Sequence, residues 1–373
     1  MKTCAILLRN SQPKKVHGKP GQAIPLLPPC KDLPPVRPPA FKQHFPLAIL
    51  LLPCYIFNEQ YSRETASDDN VHRLERRCMH GMNQKPVKKI GIIGAGKVGC
   101  SLGKYLTDRG KTVAGYYSHT YENAVTAAEF TGTDSFRTME ELVTLSDTLF
   151  ITTQDGQIGA VWDCMKGMSL NGRIVCHCSG SLSSGVFTGI GEKKAYGASA
   201  HPMLAFRDKF SSYGQLDNCF FTLEGDSCAL QELEGLFQEL GNPYCRIRAE
   251  DKAKYHCAAS VLSNDVLALL DMGFGLLGQC GFTEEEARHA AAFLVRGNVE
   301  NVLGSGAPAS MTGPIPRGDV STVAKHLDVL AGEEREIYRL LGKRLLEMAK
   351  ERYGNREDYP RIEELLANVA EIW

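Results

Sequence analysis

The sequence predicts an open α/β sheet followed by an all-helical region, and three observations predict it. Between residues 86 and 249, short apolar runs alternate with segments of helical spacing. From Glu250 onward the apolar period is that of helices alone. The first 85 residues resemble neither part: they hold 11 of the 18 prolines and no acid before Asp32. The chain therefore divides into a proline-rich extension (1–85), an α/β domain (86–249) and a helical domain (250–373).

The extension cannot build a core at that proline density and is expected to be disordered. Its apolar run "FPLAILLLPCYIF" holds 13 residues and two prolines. That is short of the ~20 apolar residues a bilayer span needs, so no membrane partner is expected. A basic, acid-poor start is compatible with a mitochondrial presequence, but arginine and serine are sparse. A start at Met79 or Met82 also fits. A cytoplasmic location is expected, with a mitochondrial one as the alternative. A net charge of -1 leaves no basic excess for nucleic acid. The 13 cysteines form no CxxC pair, so free thiols are expected in a reducing compartment. In "CHC" (176–178) adjacent side chains alternate faces if extended, so no metal site is expected there.

Ile90, Ile92 and Ile93 form the first strand. Gly94, Gly96 and Gly99 then make GxGxxG directly before a helical pattern at Val98, Leu102, Tyr105 and Leu106, and a second strand follows at 112–117. Such a loop lets backbone approach a pyrophosphate at a helix N-terminus. The run Gly94, Ala95, Gly96, Lys97, Val98 and Gly99 is thus a candidate dinucleotide cradle. After the second strand stand Ser118, His119 and Thr120 rather than the acid that reads a ribose 2′-hydroxyl. That favours NADP(H) over NAD(H). Thr120 or Ser118 can alternatively cap the next helix.

The alternation continues. Helix 138–146, strand 147–155, a helix from Ile158, strand 172–183 and strand 195–202 follow in turn. Strand 218–226, helix 228–241 and a last strand at 242–250 complete the domain. Ligands of open α/β sheets sit at the carboxyl ends of strands. Thr152, Thr153, Gln154, Asp155, His177, Ser179 and Gly180 fall there, with Thr153 on the cofactor side and Ser179 toward the substrate. His201, held extended by Pro202, faces the same edge.

In the helical domain one long helix should end near Gly281. Its polar stripe of His256, Ser260, Ser263 and Asn264 shares one face. The small neighbours Ala258 and Ala259 argue for a site rather than a solvent face. Thr283 and Glu286 make a capping box for the next helix. "MTGPIPRGDV" (311–320) then interrupts the helices. Pro314 and Pro316 suggest an extended entry, and Asp319 a cap for a helix from Val320. Thr312 and Arg317 are left over as substrate-binding candidates.

The strings "IGIIGAGKVG", "HCSGSLS", "AHPMLAF", "KYHCAASVLSN" and "MTGPIPRGD" resemble the NAD(P)-dependent oxidoreductases that pair an N-terminal Rossmann-like domain with a C-terminal helical domain of unknown function. These are relatives of 6-phosphogluconate dehydrogenase, pyrroline-5-carboxylate reductase and ketopantoate reductase. The resemblance covers about residues 87–350. It implies NAD(P)H at Gly94, Gly96 and Gly99, a cleft between the domains, and a homodimer through the helical domain. Members often carry arginine after the second strand, where this chain has His119.

The resulting expectation is hydride transfer between NADP(H) and a small carbonyl or imine substrate. Histidine titrates near neutral pH without adjustment, so His256 is the expected acid/base. Ser260 and Asn264 hold the substrate oxygen, and His201 is a further candidate. In related reductases a lysine and an asparagine on the equivalent helix do this work; Lys254 is near but off the His256 face. A ketopantoate reductase, the narrower alternative, would need a cation such as Arg317 for the substrate carboxylate. A non-catalytic NADP(H)-binding regulator is the alternative from another class.

Overall fold

The computed structural model describes residues 88–367. The proline-rich extension, its apolar run and the targeting question lie outside the described residues. The α/β part is one eight-stranded sheet, ordered β3-β2-β1-β4-β5-β6-β7-β8. It begins with β1 (Ile90–Ile93), α1 (Lys97–Asp108), β2 (Val113–Tyr117), α2 (Tyr121–Thr131) and β3 (Asp134–Phe136). α3 (Met139–Leu145), β4 (Thr148–Ile151), α4 (Asp155–Met165), β5 (Ile174–His177) and β6 (Tyr196–Pro202) follow. It ends with β7 (Phe221–Gly225), α5 (Ser227–Leu240) and β8 (Tyr244–Arg246).

β1, β4 and β5 are buried along their whole length, because helices cover both faces of the sheet. One face packs Ile92, Leu106, Tyr116, Phe150, Phe221 and Phe237. The other packs Ile93, Leu142, Leu149, Ile151, Trp162 and Val175. Strand order reverses between β1 and β4, so the crevice opens at their carboxyl ends. All pairs from β3 to β6 are parallel, while β7 runs antiparallel to β6. The apolar run 219–223 reads alike in either direction, so its reversal is not legible from pattern.

A short 3₁₀ turn (Ala249–Asp251) leads into α6 (Lys252–Ser260). A π turn (Val261–Asp265) joins α6 to α7 (Val266–Gln279). Gly281 follows with φ +95°, a conformation that ends helices. α8 (Glu284–Ser305) opens on the expected capping box, Thr283 with Glu286. The segment 311–320 differs from expectation. After a single turn, α9 (Ala307–Ser310), residues Pro314–Arg317 form a helical turn, α10, rather than an extended entry. Proline at a first helical position costs no hydrogen bond and already has helical φ. Ile315 and Pro316 are buried, and Tyr359 Oη and Arg356 Nη1 donate to the Pro316 carbonyl at 2.9 and 3.2 Å. Asp319 caps α11 (Val320–Val329) by accepting from Thr322 N–H. α12 (Gly332–Tyr353) and α13 (Tyr359–Ala367) complete a small core with Ile315, Val323, Leu327, Leu346 and Ile362.

α7 and α8 are different. They expose Leu267, Leu269, Phe293, Leu294, Val302 and Leu303, with Phe293 90% and Leu303 82% exposed. By length and composition alone the run Ala249–Gln279 is long and apolar enough to cross a membrane, and none of its apolar window is buried in this chain.

Candidate functional site

The glycine loop splits into packing positions and an open one. Gly94 has φ +105°, a conformation that disfavours side chains. A Cβ on Gly99 would lie 2.1 Å from the Gly94 carbonyl oxygen. Gly99 therefore exists to let α1 approach β1. A Cβ on Gly96 would meet nothing within 4 Å. That open cradle faces the N-terminus of α1, which has no side-chain cap and no acid in its first turn. Its free N–H groups and positive dipole end suit a phosphate. Lys97 is exposed, Val98 half-buried, and Ala95 buried, so Ala95 can contribute through backbone alone. Thr152 Oγ1 donates to the Gly94 carbonyl at 2.8 Å, and the neighbouring Thr153 Oγ1 is buried with no partner. An orphaned hydroxyl beside an open cradle fits a ligand group. At the end of β2, Thr120 occupies the N-cap of α2, but its side chain makes no capping bond. Ser118 is half-buried; His119 and Thr120 are exposed.

A second set of contacts lies further along the carboxyl edge of the sheet. Thr152 follows β4, and Asp155 opens α4. Asp155 Oδ2 accepts from Ser179 Oγ at 2.7 Å and from Ser181 Oγ at 2.8 Å. Ser179–Gly180–Ser181 is the turn after β5. His177, expected at the cleft edge, is fully buried instead. Its Nδ1 accepts from Ser179 N–H at 3.2 Å, and Nε2 lies 3.2 Å from the Ser183 carbonyl. Burial pulls its pKa down to about 4, so His177 shapes the turn rather than facing the cleft. Burial pushes the Cys178 thiol up to about 12 and that of Cys176 well above its ordinary value. Burial therefore favours the protonated thiol at both positions. Among the described residues no cluster of three or more His, Cys, Asp or Glu side chains could hold a metal.

His201 and His256 meet at Gly180, and Tyr255 contacts His201. A Cβ on Gly180 would lie 2.7 Å from His256 Cδ2 and 2.9 Å from His201 Nε2. Only glycine lets both rings close on that turn. The two imidazole centroids are 6.5 Å apart. His201 Nδ1 is 2.6 Å from Tyr255 Oη. Burial, reinforced by nearby Lys252, lowers the His201 pKa to about 4, so the ring is neutral at physiological pH. A Tyr255 hydroxyl donating to Nδ1 would put the ring proton on Nε2, on the Gly180 side; the reverse bond would put it on Nδ1.

Beneath this group lies Lys252, 1% exposed. Its Nζ donates to the Ser179 carbonyl at 2.8 Å and to Ser199 Oγ at 3.1 Å. Ser199 Oγ donates in turn to Glu224 Oε2 at 3.1 Å. Glu224 also accepts from the N–H and hydroxyl of Ser184, each at 2.7 Å. A buried ammonium is thus tied through one serine to a buried carboxylate. Its pKa is lowered by burial, against the opposing pull of Glu224. The arrangement pins α6 to the sheet, so that the histidine on α6 meets the histidine on β6.

Ser260 and Asn264 lie one turn on, 3.4 Å apart, next to the π turn. Asn264 is exposed and Ser260 half-exposed. Ser263 Oγ is spent on the Ala259 carbonyl at 2.7 Å. Thr312 and Arg317 are exposed at α10, whose buried residues belong to the C-terminal core. No hydrogen bond, ion pair or ring contact joins them to the His201–His256 group of their own chain. Lys254 is exposed. Sequence reading looked to Lys254 and passed over Lys252 because lysines are rarely buried. The available signal was the four-residue step from Lys252 to His256, which puts both on one helix face. Nothing local marks Tyr255, whose partner is 54 residues away.

Two family models match the chain: a Rossmann-like domain over residues 75–202, and the domain of unknown function DUF2520 over 219–345. No curated protein matches. Among solved structures, protein TM1727 from Thermotoga maritima is 25% identical with a TM-score of 0.57, covering 70% of this chain and 98% of its own. BF3122 from Bacteroides fragilis, provisionally named an NADP oxidoreductase, is 20% identical at TM-score 0.56, with the same coverage of 70% and 98%. A reductive aminase from Aspergillus terreus, solved with NADPH4, cyclohexanone and allyl amine, is 14% identical at TM-score 0.51, covering 75% and 99%. These likenesses share the order of an α/β sheet followed by helices.

Proposed function

We propose that this chain, a Rossmann-like domain joined to DUF2520, is an NADP(H)-dependent oxidoreductase that acts on a small carbonyl or imine substrate. One observation carries the reading. The open glycine cradle after β1 and the His201–Tyr255–His256 group at the end of β6 stand on the same carboxyl edge of the sheet, across the neighbouring strands β4 and β5. Support for the cofactor comes from the missing acid after β2 and from similar folds whose names carry NADP or NADPH. The reductive aminase's ketone and amine support the substrate class.

The residues fit that cofactor. Gly94, Gly96 and Gly99, with the α1 N-terminus, would hold the pyrophosphate, and Ser118, His119 and Thr120 the adenosine end. The orphaned Thr153 hydroxyl would bond the cofactor on the β4 side. Bound NADPH supplies the hydride. The protein then has to orient the acceptor carbon, polarise its oxygen or nitrogen, and deliver a proton. Neutral His201, in the tautomer that donation from Tyr255 sets, donates a hydrogen bond from Nε2 without carrying charge. His256, exposed beside it, would give its proton to the substrate oxygen or nitrogen and take up another from solvent. Ser260 and Asn264 extend the polar wall for the substrate heteroatom.

The bare apolar face of α7 and α8 supports a homodimer, with a second copy as its cover. Ketopantoate reductase, the narrower reading, depends on that dimer, because Arg317 is apart from the histidine group in its own chain. The test is NADPH consumption by the full chain across a panel of small ketones, keto acids and cyclic imines. Turnover abolished by His256→Ala with NADPH binding intact supports the reading. Tight NADPH binding with no turnover on any substrate would favour the regulatory alternative.

A further inference from the structure

We propose that Arg137 binds the 2′-phosphate of the dinucleotide and replaces the cation missing from the end of β2. The inference rests on the NADP(H) reading above. Ser118, His119 and Thr120 offer that phosphate no permanent charge. The neighbouring strand supplies one. β2 and β3 are parallel, with Tyr117 opposite Phe136. One step further sets Arg137 beside Ser118, across an inter-strand gap of about 5 Å. In this fold the adenosine ribose lies over the carboxyl end of β2, where its 2′-position is read. Arg137 therefore stands at the outer border of the place where a 2′-phosphate projects.

Its guanidinium is held there. It lies 4.2 Å over the ring of Tyr121, the first residue of α2. Tyr121 Oη is 3.3 Å from Ser135 Oγ, which ties that ring to β3. A guanidinium over an aromatic ring can still present N–H donors to a bidentate anion. No described carboxylate comes within ion-pair distance of Arg137, although the Glu141 carboxylate is near enough to feel its charge. Glu141, four residues on, is occupied in the Thr138 capping box, where its carboxylate accepts the Thr138 N–H at 3.0 Å. Ser118, just past β2, and the uncapped first turn of α2 lie on the β2 side of Arg137, while the concavity on its other side is lined by Thr138, Glu140 and Glu141. A structural role alone explains little, since an exposed stack is a weak interaction of about 0.5–1 kcal/mol.

The experiment measures dissociation constants of the full chain for NADPH, NADH, 2′,5′-ADP and 5′-AMP, in wild type, Arg137→Ala, Arg137→Lys and Arg137→Glu. Loss of one charge-assisted bidentate contact should weaken NADPH and 2′,5′-ADP by about 10- to 100-fold. NADH and 5′-AMP should stay within about twofold. Lysine should retain part of the preference, and glutamate should reverse it. Thermal melting of each variant should match wild type, since the side chain is exposed. An unchanged NADPH-to-NADH ratio in Arg137→Ala overturns the proposal, whether both affinities hold or both fall. So does a wild type that binds both dinucleotides equally, which leaves dinucleotide binding itself standing. A wild type that binds neither removes the NADP(H) reading and this inference together.

Discussion

Gly180 is the residue on which the two histidines converge, so it gives the sharpest test at that scale. In Gly180→Ala the new methyl would meet His256 Cδ2 at 2.7 Å and His201 Nε2 at 2.9 Å. The rings can swing away, so folding should survive, while turnover should fall by about tenfold or more as the proton donors are misplaced. Full activity in that variant would mean the histidines are not the site. The buried imidazoles also set a pH dependence. His177 and His201 both have pKa values depressed to about 4, chiefly by burial. Below the ordinary histidine pKa the unfolded chain takes up these protons and the folded one does not. Stability is therefore complete above about pH 6.5 and is lost as pH falls toward about 4. By about pH 5 the loss should be on the order of 2 kcal/mol per histidine. The depressed carboxylates, such as Glu141 and Glu286, act lower, below their ordinary range. Denaturant midpoints between about pH 7 and pH 5 check this; a flat profile would contradict it. His201 itself was legible in the sequence because Pro202 fixed its strand end. Its tautomer was not, since that depends on a tyrosine from another domain.

The elements divide between those legible locally and those fixed by distant partners. β1, the glycine turn and α1 were legible because spacing and composition agree. So were the Thr283 and Asp319 caps, whose partners are three residues away. The α10 turn was misread, because prolines that break a helix interior are welcome at its start. The antiparallel β7 was illegible, since an apolar strand carries no mark of direction. The glycine loop yields a paired prediction. Gly96→Ala points a methyl into open space and should leave thermal stability unchanged while weakening NADPH binding. Gly99→Ala drives its methyl into backbone at 2.1 Å and should lower both. Equal stability loss in the two variants would deny that Gly96 faces a ligand. Lys252 shows why a site can be missed while its helix is found. Periodicity marks the helix, but the Ser199–Glu224 partners that make a buried lysine tolerable come from β6 and β7.

For the whole molecule, the two parts have unequal closure. The α/β part buries its apolar residues on both sheet faces, whereas α7 and α8 leave Phe293 and Leu303 almost bare. A run that passes the length and composition test for a membrane span has the same origin as a dimer seam: apolar surface with nothing of its own chain upon it. The proposed homodimer predicts twice the chain mass by light scattering, and monomers for Phe293→Asp combined with Leu303→Asp. A wild-type monomer free in buffer, or partition of the chain into detergent, would contradict it. The fold class and the order of sheet and helices were legible from periodicity, but the exposure of the α7–α8 face was not, because pattern cannot say what covers an apolar face. The central claim is redox chemistry at the histidine group beside the glycine cradle. The most direct measurement is substrate-dependent NADPH oxidation by wild type and His256→Ala, with NADPH affinity measured on the same samples. The account predicts turnover that drops at least 100-fold in the variant, the scale of a lost general acid, at unchanged affinity. NADPH bound equally by both proteins, with equal turnover or none in either, would contradict it.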